Sequence, residues 1–304
     1  MKGQEDVIII GGSFAGLTAA LYLARARRDV LVIDSGEPRN RYSAHSHGVF
    51  ALDGQPGSEL LATAKSQLLK YPTARFVSKK ASRASKKQGF FEVETEGDKE
   101  RFQSRRLILA TGLVDELPSI PGLRERWGKS IFHCPYCDGY EIEGGQIGVI
   151  ATRPLSVHFA KLITDWGDVT LFTNGAITMD QDSRDGLTRK GVRIEERKIV
   201  GIDGPLVDAL DGVNLIDGSR VSLKAIFIAS LFRMGAPFAR DLGCVHTHTP
   251  RGDLVQTDES KMTSIPGVYA AGDMSRTTHS IPFATADGVT AWVSAHQSLV
   301  MEEE

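Results

Sequence analysis

Val7-Ile8-Ile9-Ile10-Gly11-Gly12-Ser13-Phe14-Ala15-Gly16 is the stretch whose reading decides the fold. Four β-branched apolar residues in a row have the composition of a central parallel strand buried on both faces, and a glycine turn follows them at once. The turn opens Leu17-Thr18-Ala19-Ala20-Leu21-Tyr22-Leu23-Ala24, a helix with small residues where it must lie close to a sheet. Val30-Leu31-Val32-Ile33 is the next strand and ends in Asp34. Together these make a βαβ unit of the dinucleotide-binding kind. Gly11 permits the tight turn, the helix N-terminus offers free N–H groups and positive dipole to a pyrophosphate, Gly16 allows close packing, and Asp34 stands where a ribose diol would be held. Ser13 replaces the second glycine of the fingerprint; its hydroxyl can itself donate, so the turn is read as adapted rather than lost.

Working outward, Gly36 to Arg41 is a polar loop, and Ser43 to Gly57 continues without periodicity, carrying His45 and His47. Such a loop either lies over a cofactor or is a plain connection, and no local spacing separates the two. A helix is expected from Ser58 to Leu69, then a small meander from strands around Phe76-Val77, Phe90 to Val93 and Arg101-Phe102. Arg106 to Leu109 is another buried strand, closing on Ala110-Thr111-Gly112. After Gly144-Gly145 the βαβ pattern repeats: strand Gln146–Ile150, helix Leu155 to Trp166, strand Val169–Phe172. The turn in this repeat, Ala151-Thr152-Arg153-Pro154-Leu155-Ser156, has no glycine, and its second strand ends in Thr173-Asn174-Gly175 with neither an acid for a ribose nor arginines for a 2′-phosphate. The repeat is therefore a Rossmann-type scaffold with an altered nicotinamide site. Ala225 to Ser230 is its last strand. Gly267-Val268-Tyr269-Ala270-Ala271-Gly272-Asp273 is a buried strand ending in Gly-Asp, and Pro282 to Gly288 begins the final helix, whose positive end suits the electron-rich edge of a flavin. Met301 to Glu304 is expected to fray.

His133-Cys134-Pro135-Tyr136-Cys137-Asp138-Gly139 carries the chemistry. Two thiols in C-x-x-C spacing can close a disulfide across one turn that Pro135 stiffens, and Asp138 can protonate a departing sulfur. A zinc half-site is the competing reading, but no second pair exists; Cys244 stands alone, and no metal is expected. His133 is either a hydrogen-bonding scaffold or a proton carrier. With 304 residues, 41% hydrophobic and 24% charged, the chain has the size and composition of a soluble two-domain protein. The formal charge of -2 leaves no broad basic field for nucleic acid or anionic lipid, although Lys79-Lys80 and Lys86-Lys87 form one local cluster, read as a solvated hairpin. No apolar run approaches the roughly 20 residues of a membrane span, and a cytoplasmic location is expected.

Gly11 to Gly16, Asp34, Ala110-Thr111-Gly112, Cys134 to Gly139 and Ala271-Gly272-Asp273 resemble the motif series of the low-molecular-weight thioredoxin reductases, over nearly the whole chain. The resemblance implies an α/β fold of two Rossmann-like, three-layer ββα domains in a homodimeric FAD enzyme. The FAD domain, residues 1–115 and 245–304, would be split in sequence around an inserted domain, 116–244, that bears the C-x-x-C pair. Cys137 would face the flavin, Cys134 would meet the substrate disulfide and Asp138 would be the acid. The flavin contacts would come from Gly11, Gly12, Ser13, Phe14, Ala15, Gly16, Asp34, Ser35, Arg39, Asn40, His47, Ala110, Thr111, Gly112, Gly272, Asp273, Phe283, Ala284 and Ala286. The family's NADPH motifs match Ala151–Ser156 and Thr173–Gly175 and are missing, as in branches that take electrons from ferredoxin or act as dithiol oxidases. A reductase serving a thioredoxin-like partner and an oxidase closing a small or protein dithiol both stay open, as does ordinary NADPH use.

Overall fold

A computed structural model describes residues 4–302. They divide into two compact units. The first takes the chain up to Arg41, Gln55–Val114 and everything from Phe232; the second takes Tyr42–Gly54 and Asp115–Leu231. In the first, β1 (Glu5–Ile10), α1 (Phe14–Arg25) and β2 (Val30–Ile33) form the βαβ that the glycine stretch announces. α2 (Gly57–Leu68), β3 (Ala74–Val77), β4 (Ala81–Lys86), β5 (Phe91–Thr95) and β6 (Arg101–Leu109) follow, giving the sheet order β3-β2-β1-β6-β5-β4.

Two details differ from the sequence reading. Phe76-Val77 belongs to the parallel edge, pairing with β2, and the meander is β4, β5 and the start of β6. The Arg101 and Arg106 runs are one strand: Arg105 and Arg106 look like an interruption, but their guanidinium groups are taken up by Asp6, Glu302 and Ser298 at the sheet margin. Side-chain alternation builds the layers. Ile8, Ile10, Leu31, Ile33, Leu107 and Leu109 pack with Phe91 and Val93 of the meander, whereas Val7, Ile9, Val30, Val32 and Ile108 pack with helical Leu17, Leu23 and Leu68.

The chain leaves along β7 (Leu113–Glu116). The second unit comprises β8 (Ile131–Phe132), α3 (Pro135–Asp138), β9 (Gln146–Ile150), α4 (Leu155–Ile163), β10 (Asp168–Phe172), α5 (Gln181–Arg189) and β11 (Arg193–Glu195). An antiparallel sheet of β12 (Ile199–Asp203), β13 (Gly212–Leu215) and β14 (Arg220–Ser222) comes next, and β15 (Ala225–Ile228) completes the parallel order β11-β10-β9-β15-β8. The layering repeats: Ile147, Val149 and Phe227 pack with Ala160, Ile163 and Leu187 of the helices, and Ile150, Phe172 and Ile226 with Ile202, Val213 and Leu215 of the antiparallel sheet.

β16 (Leu231–Met234) brings the chain back, followed by α6 (Phe238–Asp241), β17 (His246–Thr249), β18 (Gly252–Val255), β19 (Val268–Ala270) beside β6, and α7 (Ile281–Glu302). The return therefore precedes the 244/245 boundary read from sequence, because Phe232, Phe238, Ala239 and Cys244 are all buried in the core of the first unit. The segment 42–54, placed by sequence in the 1–115 block, groups with the second unit: a Cβ added at Gly128 would come within 2.6 Å of Tyr42 Cβ. Met301 and Glu302 stay helical, with Glu302 held by Arg105 and Arg106; Glu303 and Glu304 lie outside the described residues. Among the described residues no helix is long and apolar enough to cross a membrane.

Candidate functional site

In the first unit the glycine turn is closed upon itself. A Cβ on Gly16 would sit 1.8 Å from Gly11 O, and one on Gly11, at φ +107, would sit 2.2 Å from Ala110 O. Gly12 N donates to Asp34 Oδ1 at 2.8 Å and Gly36 N to Asp34 Oδ2 at 3.0 Å, so Asp34 fixes the turn and each oxygen keeps a lone pair for a hydroxyl. Ser13 is the N-cap of α1, yet its side chain caps nothing; that hydroxyl and the first-turn N–H groups, which have no intrahelical acceptor, are open to an anion. Ala110 N donates to Ile10 O at 2.8 Å, setting Ala110-Thr111-Gly112 beside this turn, and Thr111 Oγ1 reaches Met274 Sδ at 3.6 Å. Ser35 is exposed and Asn40 half-buried on the following loop.

The C-terminal part of the same unit meets this turn. Gly272 has φ +78, and a Cβ there would lie 3.1 Å from Ala15 Cβ and 3.9 Å from Ala284 Cβ. Arg39 Nη1 donates to Asp273 Oδ2 at 2.8 Å, joining two residues that sequence nominated separately. The same nitrogen donates to His279 Nδ1 at 2.8 Å, so the imidazole hydrogen sits on Nε2 and points to Arg276 O at 2.9 Å. Burial pulls this imidazole below the ordinary histidine range. Asp287 escaped the sequence reading. It is 4% exposed on α7, accepts from Lys261 Nζ at 2.8 Å and Gly272 N at 3.2 Å, and lies 3.6 Å from Arg276 Nε. A lone acid in the run Ala284-Thr285-Ala286-Asp287-Gly288 was the signal. Arg276 covers the Phe283 ring at 4.2 Å, and its Nη1 is buried without a hydrogen-bond partner among the described residues. Ala286 is exposed. An open helix N-terminus, a turn with no room for side chains and a buried Arg276 Nη1 without a hydrogen-bond partner among the described residues together fit a flavin dinucleotide. Every nominated contact except His47 belongs to this unit.

The second unit holds the thiols. Cys134 is the extended N-cap of α3, Pro135 its first residue, and both Cys134 and Cys137 are half-buried thiols outside any disulfide. A hydrogen bond from the Cys137 thiol holds the Cys134 thiol below the usual range, aided by the N–H groups of Cys137 and Tyr136 and opposed by burial and the Asp138 charge. The helix is braced at Gly139, where a Cβ would fall 2.7 Å from the Trp166 ring, and Tyr136 meets that ring edge-on at 5.5 Å. Burial lifts the Asp138 carboxyl from its ordinary 3.8 to about 6; Ser43 and His47 pull it down, Glu141 pushes it up. Ser43 Oγ lies 3.4 Å from Asp138 Oδ1. His47, nominated as a flavin contact, groups with this second unit and lies 3.4 Å from Glu141 Oε1 and 3.6 Å from Asp53 Oδ2. The bonds Gly48 N to Asp53 Oδ1, 2.7 Å, and Gly54 N to Ser46 O, 3.0 Å, fold its loop into a compact turn that no sequence period announces. His133 Nδ1 lies 3.5 Å from Ser230 Oγ, which donates to Asp115 Oδ1 at 2.7 Å. Cys244 is buried in the other unit, its thiol donating to Thr263 Oγ1 at 3.5 Å.

The glycine-less turn of the second unit is also internally bonded. Thr152 N donates to Ser156 Oγ at 3.1 Å and Thr152 Oγ1 to Ala229 O at 3.0 Å. Arg153 is half-buried, and desolvation holds its guanidinium below the usual arginine range. Asn174, at φ +48, accepts Ile199 N at 2.9 Å, so the end of β10 offers a structural amide where a ribose or 2′-phosphate partner would be needed.

A family model described as pyridine nucleotide-disulphide oxidoreductase matches residues 5–297. The thioredoxin reductase tcpT of Claviceps purpurea (strain 20.1) is 34% identical over 98% of this chain and 95% of its own length. Among solved structures, an oxidoreductase from Agrobacterium tumefaciens is 43% identical with a TM-score of 0.93, covering 98% of this chain and 99% of that one. HlmI is 36% identical with a TM-score of 0.93, covering 100% of this chain and 95% of that one.

Proposed function

Since the chain belongs to the pyridine nucleotide-disulphide oxidoreductase family, and is a flavoprotein disulfide oxidoreductase of thioredoxin reductase type, we propose the following reading of its site. The first unit binds FAD. Cys134 and Cys137 carry electron pairs from it to a thioredoxin-like protein disulfide, and the donor is other than NADPH, such as a ferredoxin. The observation that carries the chemistry is the half-buried Cys134-Cys137 pair on one helical turn with Asp138, whose N–H donates to Cys134 O at 3.2 Å; burial lifting the Asp138 carboxyl to about 6 supports it. A homodimer is the expected assembly.

When bound, the flavin supplies and takes up the electron pair. The chain's own residues do the rest. The Cys134 thiolate attacks one sulfur of the partner disulfide, and the departing sulfur takes the proton of Asp138. Cys137 then attacks the Cys134 sulfur of the mixed disulfide, closing the Cys134–Cys137 bond and releasing the second partner thiol. One partner disulfide is reduced to two thiols while two protein thiols become a disulfide. Pro135 limits the reorganisation between the two forms.

The self-bonded turn at Thr152 supports a donor other than NADPH, because the backbone N–H and hydroxyl that could meet a pyrophosphate are occupied. It equally favours a second reading, in which the pair runs in reverse: a substrate dithiol is closed to a disulfide and its two electrons and protons end on oxygen as hydrogen peroxide. Anaerobic titration with NADPH, NADH, reduced ferredoxin and a dithiol, followed by flavin absorbance, separates these. Rapid bleaching by ferredoxin supports the first reading, and bleaching by the dithiol with recovery in air supports the second. Fast saturable bleaching by micromolar NADPH overturns both.

A further inference from the structure

The segment 42–54 has no period and no motif, yet it presents Ser43 to the acid of the redox helix and His47 to the turn just beyond it. Ser43 Oγ stands 3.4 Å from Asp138 Oδ1, and His47 bridges Glu141 Oε1 and Asp53 Oδ2. Glu141 is three residues beyond Asp138, on the 3-10 turn Tyr140–Ile142. We propose that Ser43, His47 and Glu141 are positioning residues for Asp138, Ser43 and His47 favouring its carboxylate and Glu141 its acid form, so that their balance sets the pH range over which a leaving sulfur can be protonated. The proposal rests on the reading of Asp138 as the proton donor.

The groups that act on Asp138 come from three stretches of chain. Cys134 comes from its own helix, Glu141 from the turn that follows, and Ser43 and His47 from 42–54, with Asp53 behind the imidazole. A hydroxyl hydrogen favours the charged acceptor, a neighbouring cation does the same, and a like charge opposes it. Burial alone pushes the carboxyl up, and these three side chains adjust it from there in opposite directions. His47 stands between the two, 3.4 Å from Glu141 Oε1 and pulling the Asp138 carboxyl down. Removing it therefore leaves the opposing influence of Glu141 on Asp138 without its counterweight.

The opposite signs make the test specific. In flavoprotein whose pair has been reduced and freed of reductant, the rate of Cys134 alkylation by iodoacetamide, located by mass spectrometry, is followed from pH 4.5 to 10. Ionisation of Asp138 appears as an inflection near 6 that Asp138→Asn removes. Ser43→Ala and His47→Ala should move that inflection upward, Glu141→Gln downward, each by about half a pH unit or more, with Ser43→Thr restoring the starting value. Unmoved inflections, or shifts of one sign in all three variants, overturn the positioning roles while leaving Asp138 as the acid. A starting protein with no inflection sensitive to Asp138→Asn overturns the acid itself, and the proposal with it.

Discussion

At Asp138, burial keeps a proton on the folded protein up to about pH 6 that the unfolded chain releases near pH 4. The sign follows: this group's contribution to stability is full below about 4 and is lost as pH rises through 6. Asp138→Asn should then raise stability at pH 8 by up to about 3 kcal/mol, at about 1.4 kcal/mol per pH unit, while making little difference at pH 4. Thermal melts of both proteins at the two pH values check it, and the more stable variant should be the slower disulfide reductant. The cysteines divide similarly. Cys134→Ser should abolish exchange with a disulfide, whereas Cys244→Ser, in a core site with Thr263 as a hydrogen-bond partner, should keep turnover and cost about 1 kcal/mol in denaturant melts.

Among the elements, the first glycine turn is the least forgiving. Gly16→Ala would drive a methyl into Gly11 O, so it should give protein without bound flavin or none that folds. Gly36→Ala meets open space at φ +77 and should cost only about 1 kcal/mol of backbone strain, with flavin retained. Flavin content by absorbance and melting temperature separate the two. That turn was legible in the sequence because strand, glycines and helix are local, and Val30–Ile33 ends where the apolar run ends. β6 was not, since Arg105 and Arg106 find their partners at Asp6, Ser298 and Glu302, far along the chain. The segment 42–54 was illegible for the same reason: Ser43 meets Asp138 across 95 positions, and nothing near it in sequence marks that contact. The thiols needed no such help, because C-x-x-C chemistry is written within one turn.

For the molecule as a whole, the discontinuity of the first unit is the governing fact. The outgoing and returning strands come together where Gly235 N donates to Gly112 O at 3.0 Å, within one unit. A chain joining Val114 to Phe232 through a short Gly-Ser linker should therefore fold as a flavin-binding protein without disulfide exchange. Far-UV circular dichroism and flavin absorbance would show it, and a chain that remains unfolded would mean that the first unit depends on the second.

The position of β19 and α7 has a consequence for synthesis. The ribosome completes Asp115–Leu231 before it has made the strand that closes beside β6 or the helix that carries Asp287, so the thiol-bearing unit can fold while the host sheet still has an open edge at Leu107–Leu109. Gly272 and Asp273 emerge only after the whole of that stretch. A chain that stopped before β19 would then bear a reactive thiol pair beside an unfinished host sheet, which makes β19 and α7 the elements whose arrival couples the thiols to a completed first unit.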